Sequence, residues 1–264
     1  MSPVLLHVYG PFNINAYGAC IAIGLAMAVW LGLRDRLAAL LLRDNRLQAI
    51  VLIGVISSVV GGRLFYVLTN LSEFSTWRDV FAVWDGGMSV SGAYILGPLC
   101  LGLYLYFAQV PVRQTFDLIG VYVPLVQGWG RIGCLWAGCC CGVVTTSSWS
   151  IVYENPLSLA PLGVPLCPVQ LYMALATFSL WLVLWLCSPF IRVPGVTFCL
   201  SMAGIALIRF VTDFWRWERD SCWALGSTSF SVHQLVSLAI VLVSGLLIFL
   251  LVRYHRPRRF RRAH

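Results

Sequence analysis

The sequence predicts an all-α, polytopic integral membrane protein built as a bundle of about seven transmembrane helices. Apolar residues make up 59% of its 264 residues and charged residues only 11%, whereas a soluble domain carries about 25% charged residues. The mean hydropathy is +0.84. Because so little polar surface cannot solvate a globule of this size, lipid must be the solvent for most of the chain.

Seven mostly apolar stretches follow one another along the chain, each close to the roughly 20 residues that cross a bilayer as a helix. They cover residues 16–33, 47–68, 90–108, 116–137, 167–187, 196–214 and 235–252. The third and fourth contain proline and glycine, which membrane helices tolerate where neighbouring helices satisfy the freed backbone groups. No basic segment precedes the first apolar run, so no cleavable signal peptide is expected.

The arginines predict the orientation of the bundle. All 18 basic residues are arginine and the net charge is +8. Those of the first, third and fifth loops and of the C-terminal tail fall on one side of a seven-span bundle. They are Arg34, Arg36, Arg43, Arg46, Arg113, Arg192, Arg253, Arg256, Arg258, Arg259, Arg261 and Arg262. Since basic loops stay in the cytoplasm, we expect the N-terminus outside and the C-terminus inside.

The same charge pattern predicts two parts of unequal size. Residues 1–252 form the transmembrane domain, and residues 253–264 form a basic cytoplasmic tail. A basic tail directly after an apolar span is suited to anionic lipid headgroups. The basic excess therefore indicates membrane lipid as the partner and not nucleic acid.

Charged residues inside the spans are the first candidates for chemistry, because burying them in lipid is costly. They are Arg63, Asp117, Arg131 and Arg209. Asp213 and Arg216 follow Arg209 at spacings of four and seven residues, so a continuous helix would place all three on one face. An ion pair between Arg209 and Asp213 that only fixes helix packing is the alternative.

Arg131 stands out because glycines at positions 128, 130 and 133 surround it. Glycine leaves room for a lipid or a neighbouring backbone to approach the side chain. A planar guanidinium binds phosphate through two parallel hydrogen bonds. The segment therefore predicts a phospholipid-headgroup site, and glycines that serve helix packing alone are the alternative.

The cysteines permit a second hypothesis about this segment. Most of the 10 lie in apolar runs, where cysteine acts as a small hydrophobe. Cys134 and Cys141 are seven residues apart and on a helix would share a face near Arg131. A nearby cation lowers a thiol pKa, so one of them is a candidate nucleophile toward lipid. The alternative is inert packing.

Two further possibilities concern the consecutive cysteines at 139–141. A disulfide from this cluster to Cys167 or Cys222 is open. A metal site is not expected, since no histidine lies nearby and three adjacent cysteines on a helix cannot all point at one ion.

Several motifs in order along the chain make the sequence recognisable. They are GPFNINAYG at 10–18, GGRLFYVL at 61–68, WDGGMS at 84–89, GRIGCLWAGCCCG at 130–142, PVQLY at 168–172 and the segment 209–216. Together they resemble the prolipoprotein diacylglyceryl transferase family over nearly the whole chain. Several coincident motifs in the right order are far more specific than any one of them.

The resemblance implies a bacterial inner-membrane enzyme that needs no cofactor. It would move the diacylglyceryl group of phosphatidylglycerol onto the lipobox cysteine thiol of a prolipoprotein and release glycerol phosphate. The resemblance implies catalytic roles for Arg131, Arg209 and Tyr17. The substrate-binding residues that it implies are Arg63, Asp85, Ser91, Asp117, Gly142, Gln170, Asp213 and Arg216.

The chain also departs from the family pattern at chemically important positions. The histidine that follows the third motif is replaced by Ser91, and a tyrosine before the second arginine is replaced by Ile205. Cys134 and Cys139 stand where the family has an asparagine and an acidic residue. Two alternatives are therefore open: a divergent paralogue that transfers a lipid or glyceryl group to another acceptor, and a non-catalytic phospholipid-binding membrane protein.

Overall fold

A computed structural model of the chain describes residues 4–9, 12–35, 46–71, 74, 80–81, 87–217, 221–225 and 228–255. Within these residues the chain forms seven α-helices. They are α1 Ala16–Arg34, α2 Arg46–Thr69, α3 Val90–Phe107, α4 Val112–Ala137, α5 Val169–Cys187, α6 Val196–Thr212 and α7 Val232–Tyr254. The all-α class predicted from the sequence is confirmed.

The helices also confirm a multi-pass membrane protein. Six of those described, all except α3, are long and apolar enough to cross a membrane, and α3 contains a shorter apolar stretch, Ile95–Phe107. Seven as the number of crossings, and the orientation of the termini, stay predictions.

The described part of the chain also contains three short antiparallel hairpins that the sequence did not predict, one before α1 and two between later helices. They pair β1 Val4–Tyr9 with β2 Phe12–Asn15, β3 Ile151–Val152 with β4 Pro165–Leu166, and β5 Ser221–Leu225 with β6 Thr228–Ser231. The two-residue strands β3 and β4 are too short to display the alternation of apolar and polar residues that predicts a strand.

The chain packs as two compact units. The first comprises Met1–Arg34 and Phe116–His264, and the second comprises Asp35–Thr115. The division at residue 252 between membrane domain and tail stays a prediction.

In the second unit, α2 and α3 approach closely along small residues. Gly61 and Gly92 lie at their contact, where a methyl group at Gly61 would stand 2.5 Å from the Gly92 carbonyl oxygen. Further along, a methyl group at Gly97 would stand 2.6 Å from the Ser58 hydroxyl oxygen. Small residues allow the backbones of membrane helices to pack this tightly, where van der Waals contact drives association.

In the first unit, α4 packs against three other helices through its glycines. A methyl group at Gly120 would lie 2.8 Å from the Cα of Phe198 in α6. One at Gly133 would lie 2.9 Å from the Cα of Tyr17 in α1, and Gly128 faces an aromatic ring of α5. The glycines around Arg131 therefore serve helix packing, and they fix the position of α4 beside α1 and α5.

Asp117 on α4 ties this helix to the start of α6. Its carboxylate accepts the backbone N–H of Gly195 at 2.5 Å and that of Phe198 at 2.9 Å. Gly195 is the N-cap residue of α6, and the first N–H groups of a helix have no partner within it. Asp117 therefore acts as the cap that α6 does not supply from its own sequence.

The contact between α2 and α3 gives the first testable prediction. Gly61→Ala should lower the stability of the detergent-solubilised protein by about 1–3 kcal/mol, because the methyl group overpacks against a backbone carbonyl that cannot rotate away. Gly54→Ala is the matched control on the same helix, where nothing lies within 4 Å of the added methyl group. That variant should be neutral or gain up to about 1 kcal/mol from helix propensity. Equal thermal unfolding temperatures for the two variants would contradict the packing described.

Candidate functional site

The site is built around the point where α4 ends. The helix stops at Ala137, and the chain turns back through Gly138 and Cys140, whose φ angles are +77° and +57°. We call residues 138–140 the cysteine turn. The prediction that Cys134 and Cys141 share a helical face is wrong, because Cys141 lies beyond the helix. Cys141 packs instead with Tyr153, Ala160 and Leu166.

The cysteine turn folds two thiols back over a third. The sulfur atoms of Cys134, Cys139 and Cys140 all lie within 4.8 Å of one another, and the Cys139 thiol is 3.9 Å from the Cys134 carbonyl oxygen. Hydrogen bonds from Cys134 and Cys139, together with the charges of Arg216 and Arg131, lower the pKa of the Cys140 thiol. The pKa of the Cys139 thiol is raised, mainly by its hydrogen bond with Cys134 and next by its hydrogen bond with Cys140.

The disulfide considered for the cluster at 139–141 does not form with Cys167, since the cysteines at 139, 140, 141 and 167 are all unpaired by disulfides. The side chain of Cys222 lies outside the described residues.

Buried polar groups hold the cysteine turn in place. The Gln170 side chain, fully buried at the start of α5, donates a hydrogen bond of 3.0 Å to the Cys139 carbonyl oxygen. The Tyr153 hydroxyl donates to the Leu135 carbonyl oxygen at 2.9 Å, and burial raises the pKa of this tyrosine to about 12. The first bond satisfies a carbonyl of the cysteine turn, and the second satisfies one in the last turn of α4 that has no partner within the helix. Gln170 is thus placed as a support for the turn.

Backbone pairing beyond the turn brings Arg216 to the same place. Gly142 pairs with Arg216 in an antiparallel bridge. Next to it, the Val143 N–H donates to the Trp215 carbonyl at 2.9 Å, and the Trp217 N–H donates to the Cys141 carbonyl at 3.1 Å.

Gly142 is needed at this bridge for space. A methyl group at this position would lie 2.5 Å from the Cys167 carbonyl oxygen. Only glycine therefore lets the chain at Cys167 pack this closely against the residue that pairs with Arg216.

The arrangement of Arg209, Asp213 and Arg216 differs from the single helical face that their spacing predicted. The α-helix ends at Thr212, a 3₁₀ turn covers Asp213–Trp215, and Arg216 is extended with φ −82° and ψ 144°. The bridge to Gly142 requires this extended backbone. Both guanidiniums nevertheless reach the same carboxylate oxygen, Asp213 Oδ1, at 3.8 Å from Arg209 and 3.9 Å from Arg216.

The second oxygen of Asp213 connects this ion-pair group to α7. Asp213 Oδ2 accepts a hydrogen bond from the hydroxyl of Ser231. Ser231 is the N-cap of α7 and forms a capping box with Gln234, with two bonds of 3.1 Å. The structural ion pair considered for Arg209 and Asp213 is therefore present, and it also locks the end of α6 to the start of α7.

Three arginines from two segments of the chain share one electrostatic environment. The charges of Arg216, Arg131 and Asp213 all act on the Arg209 guanidinium. Three guanidiniums and the single carboxylate of Asp213 together carry a net positive charge. The Arg216 Nε atom is buried and lacks a hydrogen-bond partner in the described part of the chain. A cationic group with a donor still to be satisfied can bind an anion such as phosphate.

A pocket of about 300 Å³ opens beside this group. Its lining consists of residues 138–141, Leu159, Arg216 and Trp217. Tyr17 belongs to the same region, because the charge of Arg131 and the three thiols of the cysteine turn and α4 act on its phenol group. The structure therefore brings together Tyr17, Arg131, Gly142, Gln170, Arg209, Asp213 and Arg216.

The other predicted site residues have different surroundings. Asp117 caps α6. Arg63 lies in the second unit, where its guanidinium donates to the carbonyl oxygens of Val80 and Gly87, both at 2.9 Å. Asp85 lies outside the described residues. The backbone of Ser91 belongs to α3, and its side chain is likewise outside the described part.

Ser231 and Tyr153 were not predicted from the sequence, and Cys140 was indicated only as a member of the cysteine run at 139–141. A capping box, serine followed three residues later by glutamine just before an apolar run, is visible at 231–234 and could have found Ser231. The roles of Tyr153 and Cys140 depend on chain segments that meet only after folding, and no local pattern indicates them.

The comparison with protein families decides the class of this site. The chain matches the family model described as prolipoprotein diacylglyceryl transferase over residues 3–250. The chain belongs to this family. Curated relatives agree with this membership. A phosphatidylglycerol–prolipoprotein diacylglyceryl transferase 2 from Clostridium perfringens is 33% identical over 256 residues, 94% of each chain.

Two further relatives match over nearly the whole of both chains. The phosphatidylglycerol–prolipoprotein diacylglyceryl transferase of Clostridium tetani is 29% identical and aligned over 97% of this chain and 100% of its own. The enzyme of the same name from Bordetella parapertussis is 30% identical over 94% and 95%. The arginines and the cysteine turn therefore lie within a diacylglyceryl transferase domain.

The shared carboxylate gives the second prediction. Asp213→Ala should destabilise the protein by about 3–5 kcal/mol, because it leaves two adjacent guanidiniums and the Ser231 hydroxyl without their buried partner. Asp213→Asn should cost less, since its amide oxygen can still accept from Ser231. Glu154→Gln is the control, because this acid is exposed. Thermal unfolding in detergent is the measurement, and an Asp213→Ala variant as stable as Glu154→Gln would contradict the assigned role.

Proposed function

We propose that this protein transfers the diacylglyceryl group of phosphatidylglycerol to the lipobox cysteine thiol of a prolipoprotein. The observation that carries the proposal is a group of three arginines next to a pocket: Arg209 and Arg216 share the carboxylate of Asp213, and the charge of Arg131 acts on Arg209. The names of the curated relatives specify the same donor and acceptor. Phosphatidylglycerol is a lipid of the bacterial inner membrane, where a multi-pass transferase of this family would meet it.

The reaction requires two kinds of electrostatic help. The acceptor sulfur attacks the carbon of the diacylglyceryl group that is bonded to the phosphate oxygen. A C–S bond forms there, and the C–O bond between that carbon and the phosphate breaks. The thiol releases its proton to water, and glycerol phosphate leaves with one more negative charge than the phosphodiester had. Fixed cations that face this developing charge stabilise the transition state more than the ground state.

The arginines supply that charge in the proposed mechanism. Arg131 and Arg209 bind the phosphate and stabilise its developing charge, and Arg216 offers the unsatisfied Nε atom as an additional donor. Their summed field also favours the thiolate form of an acceptor cysteine that enters it. Tyr17 of α1, on whose phenol group the charge of Arg131 acts, contributes a hydroxyl group.

Other residues act through position. Asp213 aligns two of the arginines, Gln170 holds the cysteine turn, and Gly142 allows the bridge that places Arg216. We propose a substrate-binding role for Asp85 by resemblance alone, and for Ser91 by its position where the family has a histidine. For Arg63 and Asp117 the hydrogen bonds favour an indirect role, through the order of the chain around them.

The third prediction tests the phosphate half of this mechanism. Arg131→Ala should abolish transfer, at least about a hundredfold in rate, because one fixed donor to a developing oxyanion contributes roughly this much. The variant should still insert into the membrane and elute as folded protein. Arg113→Ala is the matched control, since Arg113 is an exposed arginine at the first turn of the same helix. Substantial turnover by purified Arg131→Ala would refute the assignment.

A second candidate function follows from Ser91, which stands where the family pattern has a histidine. A divergent paralogue would use another acceptor, and a non-catalytic protein would only bind phosphatidylglycerol. One assay separates these possibilities from the proposed reaction. The purified protein is incubated with phosphatidylglycerol and a lipobox peptide, and thioether product and glycerol phosphate are both quantified.

Each outcome of that assay has a distinct meaning. We expect both products in equal amounts. Glycerol phosphate without modified peptide would favour the divergent paralogue. Bound lipid with neither product would favour the binding protein and would overturn the proposed transfer.

A further inference from the structure

The three thiols at the end of α4 form a cluster that the transfer reaction does not use. The sulfur atoms of Cys134, Cys139 and Cys140 lie within 4.8 Å of one another. We propose that these three residues bind one thiophilic d¹⁰ cation, Zn²⁺ or Cu⁺. Thiolate ligands select such ions over Mg²⁺ and Ca²⁺, which prefer oxygen.

The separation of the sulfur atoms suits a metal ion. A Zn–S bond is about 2.3 Å, so three sulfur atoms bound to one ion stand roughly 3.8–4.0 Å apart. The sulfur atoms now lie within 4.8 Å of one another. To reach the metal-bound separation, each would have to move by less than about 1 Å, which small rotations about the Cα–Cβ bonds allow.

The backbone holds the cluster together before any ion binds. Cys134 lies on the last turns of α4, whereas Cys139 and Cys140 lie beyond its end. Cys140 has a φ of +57°, which is uncommon for a residue with a side chain. Gln170 fixes the Cys139 carbonyl through a bond of 3.0 Å. The expectation that three adjacent cysteines cannot meet at one ion assumed a helix, and the turn removes that obstacle.

Charge and access also suit the site. Three thiolates with Zn²⁺ sum to one negative charge, and with Cu⁺ to two. Arg131 and Arg216 lie close enough to act on the Cys140 sulfur, so they stabilise the anionic complex. Cys139 and Cys140 line the pocket of about 300 Å³, which gives the ion a path. Three protein ligands leave a Zn²⁺ ion one open position for water or another ligand.

Metal titration of the purified full-length protein tests the proposal. The protein is reduced, stripped with a chelator and titrated with Zn²⁺ or Cu⁺ against a chromophoric competitor. We expect one equivalent of at least one of the two ions per chain, and comparison of the two titrations identifies the preferred ion. Co²⁺ as a probe should give sulfur-to-metal charge-transfer absorption in the near ultraviolet.

Variants assign the ligands. Cys140→Ser should lower the affinity at least tenfold. Cys141→Ser is the matched control, because this neighbouring residue packs in a different cluster with Tyr153 and Leu166 and should bind the metal unchanged. Full affinity in Cys140→Ser, or no binding by the unmodified protein, would overturn the proposal.

A measurement on the unmodified chain keeps the test independent of how the variants fold. Bound Zn²⁺ or Cu⁺ should slow alkylation of Cys134, Cys139 and Cys140 by iodoacetamide, whereas the exposed Cys187 should react at an unchanged rate. Peptide mass spectrometry reads each site separately. Equal reactivity of the three with and without metal would refute the site. Because no lipid or peptide substrate is present, the result is separate from success or failure of the transfer assay.

Discussion

The buried carboxylate of Asp213 is the interaction on which the site depends. It faces the guanidiniums of Arg209 and Arg216 and accepts the hydroxyl of the serine that caps α7. Arginines at membrane depth are costly unless a partner compensates them. One carboxylate shared by two arginines compensates only part of their charge. The remainder is available to an anion, so the same contact that stabilises the helix ends also leaves the pocket cationic.

The location of this group follows from how two helices end. Arg209 lies in the last turn of α6, where the helix dipole favours a positive charge. Beyond it the chain becomes extended and pairs with Gly142, which follows the cysteine turn after α4. This backbone bridge joins the ends of α4 and α6. As a result, Arg131 and Arg216, which are 85 positions apart in the sequence, both act on the Cys140 sulfur.

The sequence predicted the helices well because a helix that crosses a bilayer needs roughly 20 mostly apolar residues. Apolar runs of about this length are visible in the sequence alone. It also identified the arginines, since a charge within an apolar run is visible without any structure. It did not predict what happens after a helix ends. The common face assumed for Arg209 and Arg216 and for Cys134 and Cys141 required helices to continue through Thr212 and Ala137, where they stop. Those stops are set by a backbone bridge and by left-handed residues, which depend on tertiary contacts.

The cysteine turn and the arginines use the same cationic field, and this has a consequence for binding. A phosphate headgroup needs the positive charge of the arginines that Asp213 does not neutralise. A metal bound by three thiolates would be a second anion that interacts with the same arginines. The two occupants would therefore reduce each other's affinity by the same factor, since coupling between two binding sites is reciprocal. Their shared partners are Arg131 and Arg216, which act on the Cys140 sulfur from two different helix ends. A metal bound at the three thiols would thus oppose phosphatidylglycerol without touching the lipid.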